Sequence, residues 1–343
     1  MKFLKKAAAL AVAGLMAASL AACGEEAVWA AKYGDVTIPA GVYIDELITQ
    51  YSTVVTELGQ DVKDPLKQQV DGVPASEKIV SEAKKGLAKF VAVEQKFDEM
   101  GLALTEADQA SIDENVNFFW QYLKETYQAN GISEESYRMA VSNETKMNAI
   151  FQAIYGVGGS EEVPESDLRA KFESDVAKVI LIPLSFSTSE DAAEKGEADK
   201  KTRETIDQYY NELVGGADME DVYYEARKLA SGDDTLEKPE PGTSYTFVNK
   251  TGGAYDQEVV DAVFAAELGK PVKVETAETA YLFVRYDVNE NPDDFTSRRD
   301  TMLMLLKQDE FNERAEQWGE QLTGVEYNDA AFKRYTPEKL KLN

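Results

Sequence analysis

The chain has 343 residues, 36 Lys and Arg against 63 Asp and Glu, a single cysteine and no histidine. A formal charge of −27 excludes a surface built to hold nucleic acid phosphates, which needs clustered cations. The missing histidine excludes Ser-His-Asp and Cys-His machinery, histidine-ligated zinc and imidazole acid–base chemistry, and one cysteine excludes an internal disulfide framework. With 43% hydrophobic and 10% aromatic residues the chain has ample material for packed cores. At roughly 100–200 residues per domain its length suggests two domains.

Residues 1–6 are basic and residues 7–20 are apolar, a run shorter than the roughly 20 residues a spanning helix needs. The run ends in Leu20-Ala21-Ala22-Cys23, which matches the bacterial lipobox. The expectation is a signal peptide over 1–22, a diacylglyceryl group on the Cys23 thiol and a short tether over 23–27. Two or more acyl chains anchor stably, and an acidic body is held off anionic headgroups.

Alternation around Gly34-Asp35 predicts a hairpin-like start over 28–38. Ile44, Leu47, Tyr51, Val54 and Leu58 recur at three and four and predict a helix; 61–74 reads as loop. A long helix carries Val80, Ala83, Leu87, Phe90 and Phe97 and stops at Gly101. Thr105 and Asp108 resemble a capping box, opening a helix with Ile112, Val116, Phe119, Leu123 and Tyr127 on one side. Ser133 caps the next helix, with Tyr137, Met147, Phe151 and Ile154 inward. Residues 156–160, Gly-Val-Gly-Gly-Ser, form a hinge.

Beyond the hinge the pattern changes. The apolar run 179–184 predicts a buried strand, followed by a charged helix over about 189–213, a second over 219–229 and a loop over 231–244. Strands are expected at 245–248, 272–274 and 280–286, with a short helix carrying Val259, Val260, Val263 and Phe264. Residues 289–293 read as a second linker, after which Phe311, Ala315, Trp318 and Leu322 mark a final helix. That helix cannot bury its face alone, so it is expected to complete the first helical region. The fold class is therefore α+β: a discontinuous, mainly helical domain over 28–162 and 291–343, with an α/β domain inserted over 163–290. The acidic run Glu190, Asp191, Glu194, Glu197 and Asp199 lacks the EF-hand glycine and reads as a solvated helix face; no metal or other cofactor is expected.

Several short segments carry a resemblance. Residues 32–38 (Lys-Tyr-Gly-Asp-Val-Thr-Ile), 131–137 (Gly-Ile-Ser-Glu-Glu-Ser-Tyr), 163–168 (Val-Pro-Glu-Ser-Asp-Leu) and Phe264 with 268–272 (Leu-Gly-Lys-Pro-Val) stand in the order and spacing of the PrsA foldase and SurA chaperone family. The resemblance covers nearly the whole chain after Cys23. It implies a helical chaperone domain split around a parvulin-type prolyl isomerase domain. It also implies where the isomerase pattern is broken: Val179 and Leu282 stand where the family has histidines, and no glycine-rich loop follows Ser231-Gly232-Asp233. Asp233 is then a candidate catalytic residue, and Phe247, Val259 and Phe264 an apolar cup for a prolyl group.

The implied protein is a membrane-anchored, extracytoplasmic foldase or holdase for unfolded or newly secreted polypeptides, with weak or no isomerase activity. Phe118, Phe119 and Trp120 are further candidates for client contact. Two rivals remain: an active parvulin-type isomerase with an atypical pocket, and a solute-binding lipoprotein. The last would need repeated strand–helix units in both lobes, where the first 130 residues after Cys23 read as helices.

Overall fold

The computed structural model describes residues 27–59, 62–233 and 235–342; the expected signal peptide, Cys23 and most of the expected tether lie outside them. The chain opens with strands β1 (Trp29–Tyr33) and β2 (Val36–Pro39), which pair antiparallel across a turn at Gly34, whose φ of +51° is in the left-handed region that favours glycine. Helix α1 (Ala40–Leu58) follows. The stretch 61–74, expected as loop, instead holds a 3-10 turn over Pro65–Lys67 and a two-residue hairpin, β3 (Gln69–Val70) and β4 (Val73–Pro74). Three long helices come next: α2 (Ala75–Glu99), α3 (Glu106–Asn130) and α4 (Glu134–Tyr155). The capping box at Thr105 and Asp108 is formed in both directions, and Ser133 caps α4.

Helix α5 (Glu165–Asp175) leads directly into the ten-residue strand β5 (Val176–Ser185). Helices α6 (Ala192–Val214) and α7 (Met219–Ser231) precede β6 (Thr246–Asn249) and α8 (Gln257–Ala265). Strands β7 (Pro271–Glu275) and β8 (Thr279–Tyr286) complete an antiparallel sheet of order β6-β5-β8-β7. Short helix α9 (Pro292–Thr296) and long helix α10 (Arg299–Glu320) follow, then β9 (Val325–Tyr327) and α11 (Asp329–Arg334).

The chain divides into two compact units, one of residues up to Glu162 with Lys307–Asn343, the other Val163–Leu306. The second break therefore lies within α10 and not at residue 290. The expected linker, 289–293, and the residues just after it are held by the α/β unit: Asn289 bonds Glu173, Asn291 caps α9, Asp294 pairs with the buried Lys178 at 3.0 Å, and Phe295 packs on Phe172 at 5.7 Å between ring centres. Arg298 lies 3.4 Å above the Phe247 ring.

In the helical unit, β1 is the central strand of a three-stranded sheet, because β9 pairs with its other edge (Ala31 with Tyr327, Tyr33 with Val325). The C-terminal segment is thus not one helix; the Asn328 side-chain amide donates to the Trp29 carbonyl, and Phe332 meets the fully buried Tyr43 at 4.7 Å. Phe311 closes a second cluster with Phe151 and Tyr155. In the α/β unit the sheet is covered on both faces. Ile180, Ile182, Leu282 and Val284 pack under α6 and α7; Val179, Leu181, Val248 and Phe283 pack under α8.

Candidate functional site

Strand β5 is ten residues long, but β6 pairs only with its first four, Val176 to Val179. Beyond that point, among the described residues, one edge of β5 has no neighbouring strand. A groove of about 360 Å³ runs along it, floored by Leu181, Ile182 and Pro183 and walled by Tyr223, Arg227 and Tyr255. The Lys250 amide donates to the Asp175 carbonyl toward β6, and the Phe186 amide donates to Glu278 toward β8. Alternation along the strand then turns the backbone of Leu181 and the carbonyl of Pro183 to the groove.

The lining of this groove is mixed: Leu181, Ile182, Pro183, Ala226 and Ala230 are apolar, and Tyr223, Tyr255, Ser244 and Thr246 bring hydroxyls. Burial pushes the Tyr255 phenol above its ordinary value, while a hydrogen bond with Thr246 pulls the other way. Tyr223 adds a second phenol, and Arg227 is exposed and permanently charged. Among the described residues no carboxylate lines the groove. Such a site can desolvate an amide and offer its carbonyl a hydroxyl donor, but it has no group to move a proton near neutrality.

The predicted cup is not assembled. Val259 is fully buried against the sheet, and Phe264 is half-buried on the same side, its backbone carbonyl accepting from Arg285 at 2.8 Å. Phe247 pairs with Lys178 in the ladder, so it points to the opposite face, where Arg298 covers its ring. The pair Val179 and Leu282 also separates. Val179 is opposite Arg285 and Leu282 opposite Ile182, which places the two side chains in different cores on opposite faces. A shift of one residue inverts the face, and on β8 it is Phe283 and Tyr281 that share the core of Val179. Asp233 is exposed and outside the groove. Its carboxylate accepts from the backbone and hydroxyl of Thr235 at 2.8 and 2.7 Å, which holds its pKa below the ordinary value. It is a turn-forming acid.

The helical unit divides the predicted aromatic triplet. Phe118 and Phe119 are 55% and 45% exposed and meet edge-to-face at 5.0 Å, with Tyr122, 69% exposed, beside Phe118. Trp120 instead stacks on Tyr137 at 6.0 Å between α3 and α4 and is structural. Sequence reading missed three carboxylates of this unit, the half-buried Asp45 and Glu46 on α1 and Glu144 on α4. Burial, then repulsion from Asp45, pushes Glu46 up to about 7 against the opposing pull of Lys89; burial also raises Asp45 and Glu144. Glu46 lies where a β-carbon on Gly86 would come within 2.2 Å of its Oε2, so the glycine makes room for it. It borders a cavity of about 740 Å³ lined also by Lys84, Lys89, Glu316 and Phe332. The signal that could have found it is Glu46 falling beside the buried Leu47, opposite a glycine in the middle of α2.

Among the described residues no group of three His, Cys, Asp or Glu side chains is arranged to hold a metal, and no helix is long and apolar enough to cross a membrane. No family model matches the chain, and no curated protein matches it. Solved structures do. The foldase protein PrsA from Streptococcus pneumoniae is 13% identical over 78% of this chain and 97% of that one, with a TM-score of 0.39. PrsA from Lactococcus lactis is 13% identical over 89% and 96%, TM-score 0.39. PrsA from Bacillus subtilis is 14% identical over 72% and 86%, TM-score 0.32.

Proposed function

We propose that the chain is an extracytoplasmic, lipid-anchored foldase or holdase that shelters apolar segments of newly secreted polypeptides and has little or no prolyl isomerase activity. The observation that carries this reading is the groove beside β5: part apolar, peptide-sized, open to unpaired strand backbone, and with no carboxylate among its described lining residues. Holding an unfolded segment needs apolar surface and backbone partners. Accelerating rotation about a prolyl bond needs stabilisation that appears only in the transition state. The exposed rings of Phe118, Phe119 and Tyr122 add a second apolar surface in the helical unit. Sequence resemblance to the PrsA and SurA family, and the lipobox ending at Cys23, support the same reading.

The runner-up, an isomerase with an atypical pocket, draws on the Tyr223 and Tyr255 hydroxyls at the groove wall as possible carbonyl donors. One preparation separates the two. Aggregation of an unfolded client should be suppressed at stoichiometric protein, while a proline-limited refolding reaction should be accelerated little and equally across pH 5–8. Strong acceleration that Tyr255→Phe abolishes establishes the runner-up. The anchor is tested separately: Cys23→Ala should move the protein out of the membrane fraction or leave it unprocessed, and unchanged acylation removes that part of the proposal.

A further inference from the structure

The aromatic rings on α3 stand in a charged setting that selects what can bind them. Glu114, Phe118, Tyr122 and Glu125 follow at intervals of four, four and three, so they share one face of the helix. All four are exposed. Phe118 and Tyr122 touch edge-to-face at 5.7 Å, and a shallow depression beside Phe118 is lined by Ser111, Glu114 and Asn115. Asp113, on the next row, is already paired with Arg138. Among the described residues Glu114 and Glu125 have no ion-pair partner. The face thus reads carboxylate, ring, ring, carboxylate. At 1.5 Å per residue the two glutamates are about 16 Å apart along the helix.

We propose that this face binds cationic amphipathic segments of unfolded polypeptide: an extended apolar core of about five residues, spanning the same 16 Å at about 3.3 Å per residue, with Lys or Arg at each end. Charge decides the occupant. A second copy of the chain would bring Glu114 and Glu125 against their own like charges, and an anionic lipid surface would be repelled by a chain of net charge −27. A basic segment gains from both carboxylates while covering both rings. The proposal deepens the holdase reading and rests on it for the unfolded state of the partner.

The test uses the intact chain and two labelled peptides with the same five-residue Phe/Leu core, one flanked by lysines and one by glutamates, followed by fluorescence anisotropy. The lysine peptide should bind at least about tenfold more tightly, and should weaken as salt is raised. Phe118→Ala with Tyr122→Ala should weaken it about tenfold, the order expected for losing part-buried rings. Glu114→Gln with Glu125→Gln should remove the preference between the peptides. All four side chains are exposed, so these variants should keep the parent's melting temperature. Equal binding of both peptides, indifference to the glutamine pair, or self-association that Phe118→Ala abolishes overturns the inference. Aggregation suppression measured alongside keeps the two claims apart: retained suppression without a peptide preference sinks only this surface, and a peptide preference without suppression sinks only the holdase reading.

Discussion

The two units dispose of their polar and aromatic groups in opposite ways. The helical unit buries Glu94, holds Asp45 and Glu46 half-buried and leaves Phe118, Phe119 and Tyr122 on its surface. The α/β unit encloses its rings, with Phe172, Phe283 and Phe295 buried, and its main buried charge, Lys178, is neutralised by Asp294. The helical unit therefore carries an exposed aromatic surface and two half-buried acids whose ionisation opposes its packing. The α/β unit is a two-faced apolar sheet in which the buried Lys178–Asp294 pair holds α9 in place. A buried pair satisfied in this way does little when intact and much when broken.

That contrast is broken most strongly at the pair. Asp294→Ala should destabilise the α/β unit by about 3–5 kcal/mol, because Lys178 is left charged and without its partner, whereas Lys178→Met with Asp294→Ala should recover most of the loss. Denaturant unfolding read through a fragment of residues 163–306 measures both; an equal loss in single and double variants would mean that α9 is held by Phe295 alone.

The next effect is the pH dependence of the helical unit. Glu46 has a folded-state pKa raised to about 7 from an ordinary 4.5, so its contribution to stability is fully present below about 4.5 and is lost as pH rises through 7. Asp45 and Glu144 are raised as well and act in the same direction. The helical unit should lose about 1–3 kcal/mol between pH 5 and pH 8, and Glu46→Gln should flatten that slope. Thermal melts across this range test it. A slope of the opposite sign, or one unchanged in Glu46→Gln, would place the buried charge elsewhere.

The smallest effects sharpen the comparison at its edges. Thr105→Ala removes a capping box and should cost about 1 kcal/mol in the helical unit. Asp233→Ala should change stability by less than about 0.5 kcal/mol and should leave refolding catalysis unaltered, since the side chain serves only a surface turn.

What the sequence by itself determined is the local grammar of the molecule. The caps at Thr105 and Ser133, the turn at Gly34 and the periodic faces of α1 and α2 depend on residues a few positions apart, and all were legible. The mainly helical α+β class was legible for the same reason. Tertiary structure alone decided the rest. The register of β5 against β8 sends Val179 and Leu282 to opposite faces, and nothing local to either strand encodes that offset. Strand β9 is three residues long and exists only because β1 offers it an edge nearly 300 residues earlier in the chain. The groove beside β5 arises from a mismatch in strand length, and Trp120 differs from Phe118 and Phe119 only in which neighbouring helix lies over it. Burial depends on what packs against a residue, and that partner comes from distant parts of the sequence.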